Sequence, residues 1–164
     1  MKKIIMVISL FIFNFSYADL IVKKGEIAPN FSLFPLKGKK ISLKEFKDKK
    51  VVLINIFSIT CKPCIEELPG LNKVNDEYKE NLQIIGITLD KNKSEVEQFV
   101  KENKINFPVC LDYTREFLGK YLNLKEKIEI PINIFVGLDG NIVEIKQYVD
   151  EKTLRKILDG LIKK

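Results

Sequence analysis

Seven consecutive residues constrain this chain more than any others: Val51-Val52-Leu53-Ile54-Asn55-Ile56-Phe57. The run is rich in β-branched side chains, which favours a strand. It lacks the apolar–polar alternation of a strand with one wet face, so other parts of the chain must cover both of its faces. A doubly covered strand calls for helices above and below a sheet.

The rest of the chain supplies those layers. Apolar residues recur at helical spacing from about Lys62 to Lys79 (Ile65, Leu68, Leu71, Val74, Tyr78), with Pro69 expected to kink that helix. Gln83–Leu89 is expected to form a second buried strand. Lys93–Asn103 has an amphipathic helical pattern with Val96, Phe99 and Val100 inward. A short strand over Phe107–Leu111 and a helix over Thr114–Leu122 follow. Ile132–Val136 and Ile142–Tyr148 are expected to be strands joined at Asp139-Gly140, a strong hairpin signal, before a closing helix over Glu151–Leu161. Upstream, Asn30–Phe34 and Lys40–Leu43 alternate around Lys37-Gly38-Lys39, which suggests an N-terminal β-hairpin. The expected class is α/β: a central mixed β-sheet with helices on both faces. No repeat, low-complexity tract or linker divides residues 19–164, which are expected to form one domain.

Residues 1–18 have the layout of a secretory signal peptide. Lys2 and Lys3 precede an apolar run from Ile4 to Phe15, and Ser16-Tyr17-Ala18 places small residues before a cleavage point at Asp19. The alternative is an uncleaved membrane anchor, but about twelve helical residues span only about 18 Å of a ~30 Å hydrocarbon core. A periplasmic or other extracytoplasmic location is therefore expected.

Histidine is absent, which excludes a Ser-His-Asp triad, a Cys-His nucleophile pair and His-liganded zinc or haem. The net charge of +6 comes from 28 basic side chains, of which only Arg115 and Arg155 are arginines, against 22 acids scattered among them. Readers of nucleic acid lean on Arg forks, so the charge is taken as a solvated surface and no nucleic-acid partner is expected.

The chemistry lies at Cys61-Lys62-Pro63-Cys64, where a buried strand gives way to a helix. The first N–H groups of a helix lack partners and, with the macrodipole, stabilise an anion there, which lowers the pKa of a thiol. Cys61 is the candidate nucleophile, with Lys62 adding positive charge. Cys64, one turn on, is placed to resolve a mixed disulfide. Pro63 suits a first turn, where a missing N–H costs nothing. Three other readings compete. A structural disulfide across so short a loop gains only about 2 kcal/mol. A zinc site would need about four ligands, more than three Cys and no His can supply, so no metal is expected. Two free buried thiols would be surprising at such a junction in an exported protein. No cofactor beyond a Cys61–Cys64 redox disulfide is expected. Cys110, in the apolar Pro108-Val109-Cys110-Leu111, is expected to be a core residue, with a regulatory or mixed-disulfide role as the alternative.

From about Gly25 to its C-terminus the chain resembles the TlpA/ResA-like group of exported thioredoxin-fold proteins. Four segments carry the likeness: Ala28-Pro29-Asn30-Phe31-Ser32-Leu33, Val51–Phe57, Cys64-Ile65-Glu66-Glu67-Leu68-Pro69, and Ile130-Pro131-Ile132-Asn133-Ile134-Phe135 ending in Asp139-Gly140. The resemblance implies a thioredoxin-like fold and thiol–disulfide oxidoreductase activity. It also implies a cis peptide bond at Pro131 facing the cysteines, with Ile130, Pro131, Lys62 and Pro63 meeting the client. The group usually has Trp where Thr60 stands and a small residue or Thr where Ile130 stands. Asn55 occupies the position of the buried Asp of ordinary thioredoxins, and an Asn cannot accept a proton at neutral pH.

Glu67 is the candidate proton handler. It lies three residues after Cys64 on one helix face, and the matching Glu of the group is credited with this role. Glu66 points elsewhere. The resemblance further implies reduction of protein disulfides, including those of apo-cytochromes c, with electrons from a membrane thiol donor. A monomer is expected. Two other functions are weighed: a peroxiredoxin-like thiol peroxidase, whose signature Pro and Thr are here Ile54 and Ser58, and a non-catalytic thioredoxin-fold binding module.

Overall fold

The structure, a computed structural model, describes residues 20–162; the leader expected over residues 1–18 lies outside them. Strands β1 (Ser32–Leu33) and β2 (Ile41–Ser42) form an antiparallel pair. They are shorter than expected, because from Leu43 the chain turns into a 3-10 helix over Leu43–Phe46, capped by Ser42 and Glu45.

The main sheet has five strands: β3 (Val51–Phe57), β4 (Leu82–Thr88), β5 (Val109–Leu111), β6 (Ile132–Val136) and β7 (Ile142–Lys146). Their order is β5-β4-β3-β6-β7, with β3 central. β4 runs parallel to β3, and β5 to β4, while β6 is antiparallel to β3, and β7 to β6. The sheet is therefore mixed, and every residue of β3 is buried, as its composition requires. Gly140 takes a left-handed φ of 84° in the tight β6–β7 turn, a conformation that favours glycine.

Helices α1 (Lys62–Glu77), α2 (Lys93–Glu102), α3 (Glu116–Tyr121) and α4 (Glu151–Ile162) complete the molecule. One face of the sheet carries Val51, Leu53 and Phe57, packed with Leu68 and Leu71 of α1, Val96 and Phe99 of α2, and Leu154 and Leu158 of α4. The other carries Val52, Ile54 and Ile56, packed with Phe117 and Tyr121 of α3 and with Phe31. Helix α1 continues through Pro69, although that residue has no N–H for the carbonyl of Ile65. β7 ends two residues earlier than expected, because the segment after Lys146 turns its backbone toward buried side chains near the cysteines.

Candidate active site

Cys61 sits at the top of the central strand, at the N-cap of α1. Its Sγ accepts the N–H of Cys64 at 3.2 Å, and the amide of Cys61 donates to the carbonyl of Ser58 at 3.1 Å. Pro63 lies in the first turn, and both Lys62 and Pro63 are exposed. Cys61 and Cys64 form a disulfide with an S–S distance of 2.04 Å. The two sulfurs differ in access: Cys61 is half-buried, whereas Cys64 is 2 % exposed. Solvent reaches Cys61 and is nearly excluded from Cys64.

The Ile130–Pro131 peptide bond is cis. The carbonyl oxygen of Ile130 lies 3.7 Å from Cys61 Sγ, within reach of an S–H donor once the pair is reduced. Pro131 is buried and Ile130 half-buried, so the sequence-distant Ile130-Pro131 pair borders the exposed sulfur.

Glu67 lies one turn behind Cys64 and is 2 % exposed, whereas Glu66 faces solvent. Three donors meet the Glu67 carboxylate: Asn133 Nδ2 at 2.8 Å and the Val149 N–H at 2.6 Å on Oε1, and Asn55 Nδ2 at 3.4 Å on Oε2. Burial raises its pKa from 4.5 to about 7, against the opposing pull of those hydrogen bonds. A carboxyl group whose pKa is raised toward neutrality by burial thus lies three residues after the buried cysteine on the same helix.

Sequence reasoning overlooked Asn133 and the Val149 amide. Asn133 pairs in register with Asn55 across β3 and β6, and its Oδ1 accepts Asn55 Nδ2 at 2.9 Å. A signal existed: each Asn is the single polar residue of an otherwise apolar strand, so each needs a polar partner inside the core. Asp90 was also missed. Just beyond β4, its carboxylate accepts from Ser58 Oγ at 3.0 Å, from the Ile59 N–H at 2.8 Å and from Thr88 Oγ1. It thereby holds the loop that leads into Cys61. Cys110 is fully buried in β5, and burial pushes its thiol up to about 12, which leaves it protonated and unreactive. No group of His, Cys, Asp and Glu among the described residues could hold a metal ion, and no described helix is long and apolar enough to cross a membrane.

Residues 24–145 match the AhpC/TSA family. The thiol-disulfide oxidoreductase ResA of Bacillus thuringiensis (strain Al Hakam) is 36% identical over 141 residues, which span 85% of this chain and 77% of that protein. The thioredoxin domain of a thiol-disulfide oxidoreductase from Bacteroides vulgatus superposes with a TM-score of 0.70 at 26% identity, over 83% of this chain and 98% of that one. A thiol:disulfide interchange protein of the thioredoxin family from Chlorobium tepidum shares the fold, with a TM-score of 0.73 at 22% identity over 86% of this chain and 99% of that one. A Cys-x-x-Cys disulfide at the head of α1, on a thioredoxin-like sheet and with relatives of this kind, leaves one assignment: the chain belongs to the AhpC/TSA family as a ResA-like thiol-disulfide oxidoreductase.

Proposed function

We propose that this oxidoreductase acts outside the cytoplasm as a reductant of protein disulfides, with Cys61 as attacking thiolate, Cys64 as resolving thiol and Glu67 as proton acceptor. The observation that carries the reading is the graded access of the pair, with Cys61 reachable and Cys64 buried ahead of a buried carboxyl. In the first step the Cys61 thiolate attacks a client disulfide. A Cys61–client S–S bond forms, the client's own S–S bond breaks, and the departing client thiolate takes up a proton. In the second step Cys64 gives its proton to Glu67 and attacks Cys61 Sγ. The Cys61–Cys64 bond forms, the Cys61–client bond breaks, and the second client sulfur leaves as a thiolate that is then protonated. The client gains two electrons from the pair and two protons, one matched by the proton that Cys64 releases to Glu67 and the other drawn from solvent, since Cys61 enters as the thiolate. A membrane thiol donor would return the pair to the dithiol, and apo-cytochromes c awaiting haem are one class of client. The exposed Lys62 and Pro63 and the half-buried Ile130 form the rim that an extended client would meet, with the strand edge before Pro131 offering backbone pairing. The protein would act as a monomer after removal of residues 1–18.

The reduction potential of the Cys61/Cys64 pair, measured against glutathione, tests the direction of electron flow. A reductant has a potential more negative than the glutathione couple, and a more positive one makes the protein an oxidant. In the same assay Cys64→Ser accumulates a mixed disulfide through Cys61, whereas Cys61→Ser does not. Labelling of Cys64 before Cys61 by an alkylating agent at mildly acidic pH reverses the assignment. Hydrogen peroxide consumption separates this reading from a thiol peroxidase.

A further inference from the structure

We propose that Asn133 is a positioning residue for proton transfer: together with the Val149 amide it saturates Oε1 of Glu67, which leaves Oε2 to carry the exchangeable proton. The inference rests on the role given above to Glu67 and deepens it to the level of single atoms.

The geometry orders the two oxygens. Oε1 accepts two short bonds, from Asn133 Nδ2 at 2.8 Å and from the Val149 N–H at 2.6 Å. Among the described residues Oε2 has only the long 3.4 Å approach of Asn55 Nδ2. A proton goes to the oxygen whose lone pairs are less engaged, because protonating Oε1 would displace an established donor. The orientation of the Asn133 amide is set from outside the site. Its Nδ2 also donates to the carbonyl of Gln147 at 2.7 Å, an atom that can only accept. Its Oδ1 therefore faces Asn55 and takes that side chain's Nδ2 at 2.9 Å. Register across the sheet builds the device, since Asn55 and Asn133 are direct partners on β3 and β6.

Among the described residues no charged side chain is hydrogen-bonded to Glu67, and after the Val149 amide Asn133 is its strongest polar partner and the strongest one on a side chain. β3 and β6 contribute only the two neutral amides. On α1 the neighbouring titratable groups are Cys64, which carries no proton in the disulfide, and Glu66, which is exposed to solvent. β7 contributes Lys146, the register partner of Asn133, whose Nζ lies 3.8 Å from Glu144. The connector after β7 brings the exposed Tyr148 and Asp150, whose carboxylate takes the Thr153 N–H at 2.7 Å. At the start of α4, Glu151 is held by Lys73 at 2.8 Å and Arg155 at 3.0 Å.

The test follows the carboxyl carbon resonance of 13C-labelled glutamate against pH in the full-length oxidised protein, where neither active-site thiol titrates. The resonance that vanishes in Glu67→Gln is that of Glu67. In the wild type it titrates near neutrality; if it titrates in the ordinary carboxylate range instead, the role of Glu67 itself fails. Asn133→Ala and Asn133→Val remove the donor, with Val suited to a buried strand should Ala not fold. Either substitution raises the midpoint of that resonance by about one pH unit, a tenfold gain in proton affinity. Asn133→Thr, which keeps a hydroxyl donor, brings the midpoint back toward the wild type. A Glu67 midpoint near neutrality that stays put or falls in both Ala and Val variants overturns the role of Asn133 and leaves that of Glu67 standing.

Discussion

Glu67 shows what one side chain contributes to stability and chemistry together. Folded, its carboxyl has a pKa near 7, against an ordinary value of 4.5. The native state therefore holds the proton more tightly and binds more protons than the unfolded state between those two values. Stability from this residue is fully present below about pH 4.5 and is lost as pH rises through about 7. The full difference is about 3 kcal/mol. Urea unfolding of the wild type at pH 5 and pH 8 is expected to show that decline, and Glu67→Gln to flatten most of it. An equally steep decline in Glu67→Gln would assign the effect to other groups. On the role proposed for Glu67, the same substitution removes the proton acceptor, so resolution of the mixed disulfide slows and its pH profile loses the step near neutrality. Glu66→Gln, on the exposed face of the same turn, leaves both profiles unchanged.

At the scale of elements, the placing of Cys61 depends on how β3, β4 and α1 meet. β3 stops at Phe57, whose carbonyl accepts the Leu89 N–H at 2.9 Å, and the two parallel strands end side by side. Asp90, leaving β4, accepts from the loop leaving β3, and Ser58 of that loop also accepts the Thr60 N–H at 3.3 Å. Asp90→Ala removes the shared acceptor of Ser58 Oγ, the half-buried Ile59 N–H and the hydroxyl of the buried Thr88. A loss of about 2 kcal/mol is expected, the cost of hydrogen bonds to a charged acceptor. The loop then no longer presents Cys61 in a fixed geometry, and thiol alkylation of the reduced variant departs from the wild-type rate. Unchanged stability together with an unchanged alkylation rate would show that Asp90 does not hold this junction. Thr60 belongs to the same polar bracket through its 3.2 Å contact with Ser58 Oγ.

For the whole molecule, the two-sided sheet sets the tolerance to change. Gly86 lies in β4 between Asn55 of β3 and Val109 of β5. A Cβ there would stand 3.2 Å from the rings of both Phe57 and Phe107 and 3.3 Å from Val109. Three groups from separate parts of the chain close over that backbone. Gly86→Ala is expected to cost about 1–3 kcal/mol through overpacking. Thermal unfolding should fall by roughly 2–4 °C for each kcal/mol lost in a chain of this size. A variant as stable as the wild type would mean that the Phe57 and Phe107 rings move aside freely.

The order of strands and helices was legible in the sequence because hydrophobic periodicity is a local property. Val51–Phe57 and Ile132–Val136 could be assigned residue by residue, since a fully apolar run of that length has little choice but a buried strand. The Cys-x-x-Cys was legible for the same reason, because its spacing and its place at a strand–helix boundary lie within a dozen residues. Ends of elements were less so. β7 ends at Lys146 because Gln147 and Val149 turn their backbone groups to Asn133 and Glu67, partners that no local pattern contains. What the sequence determined alone was the layered α/β architecture, the Cys-x-x-Cys at the head of α1 and the placing of Glu67, rather than Glu66, on the helix face of Cys64. Only the tertiary structure decided what surrounds Glu67. Its proton affinity depends on burial and on donors 12, 66 and 82 residues away along the chain, and the closing of the sheet is what brings those groups within hydrogen-bond reach.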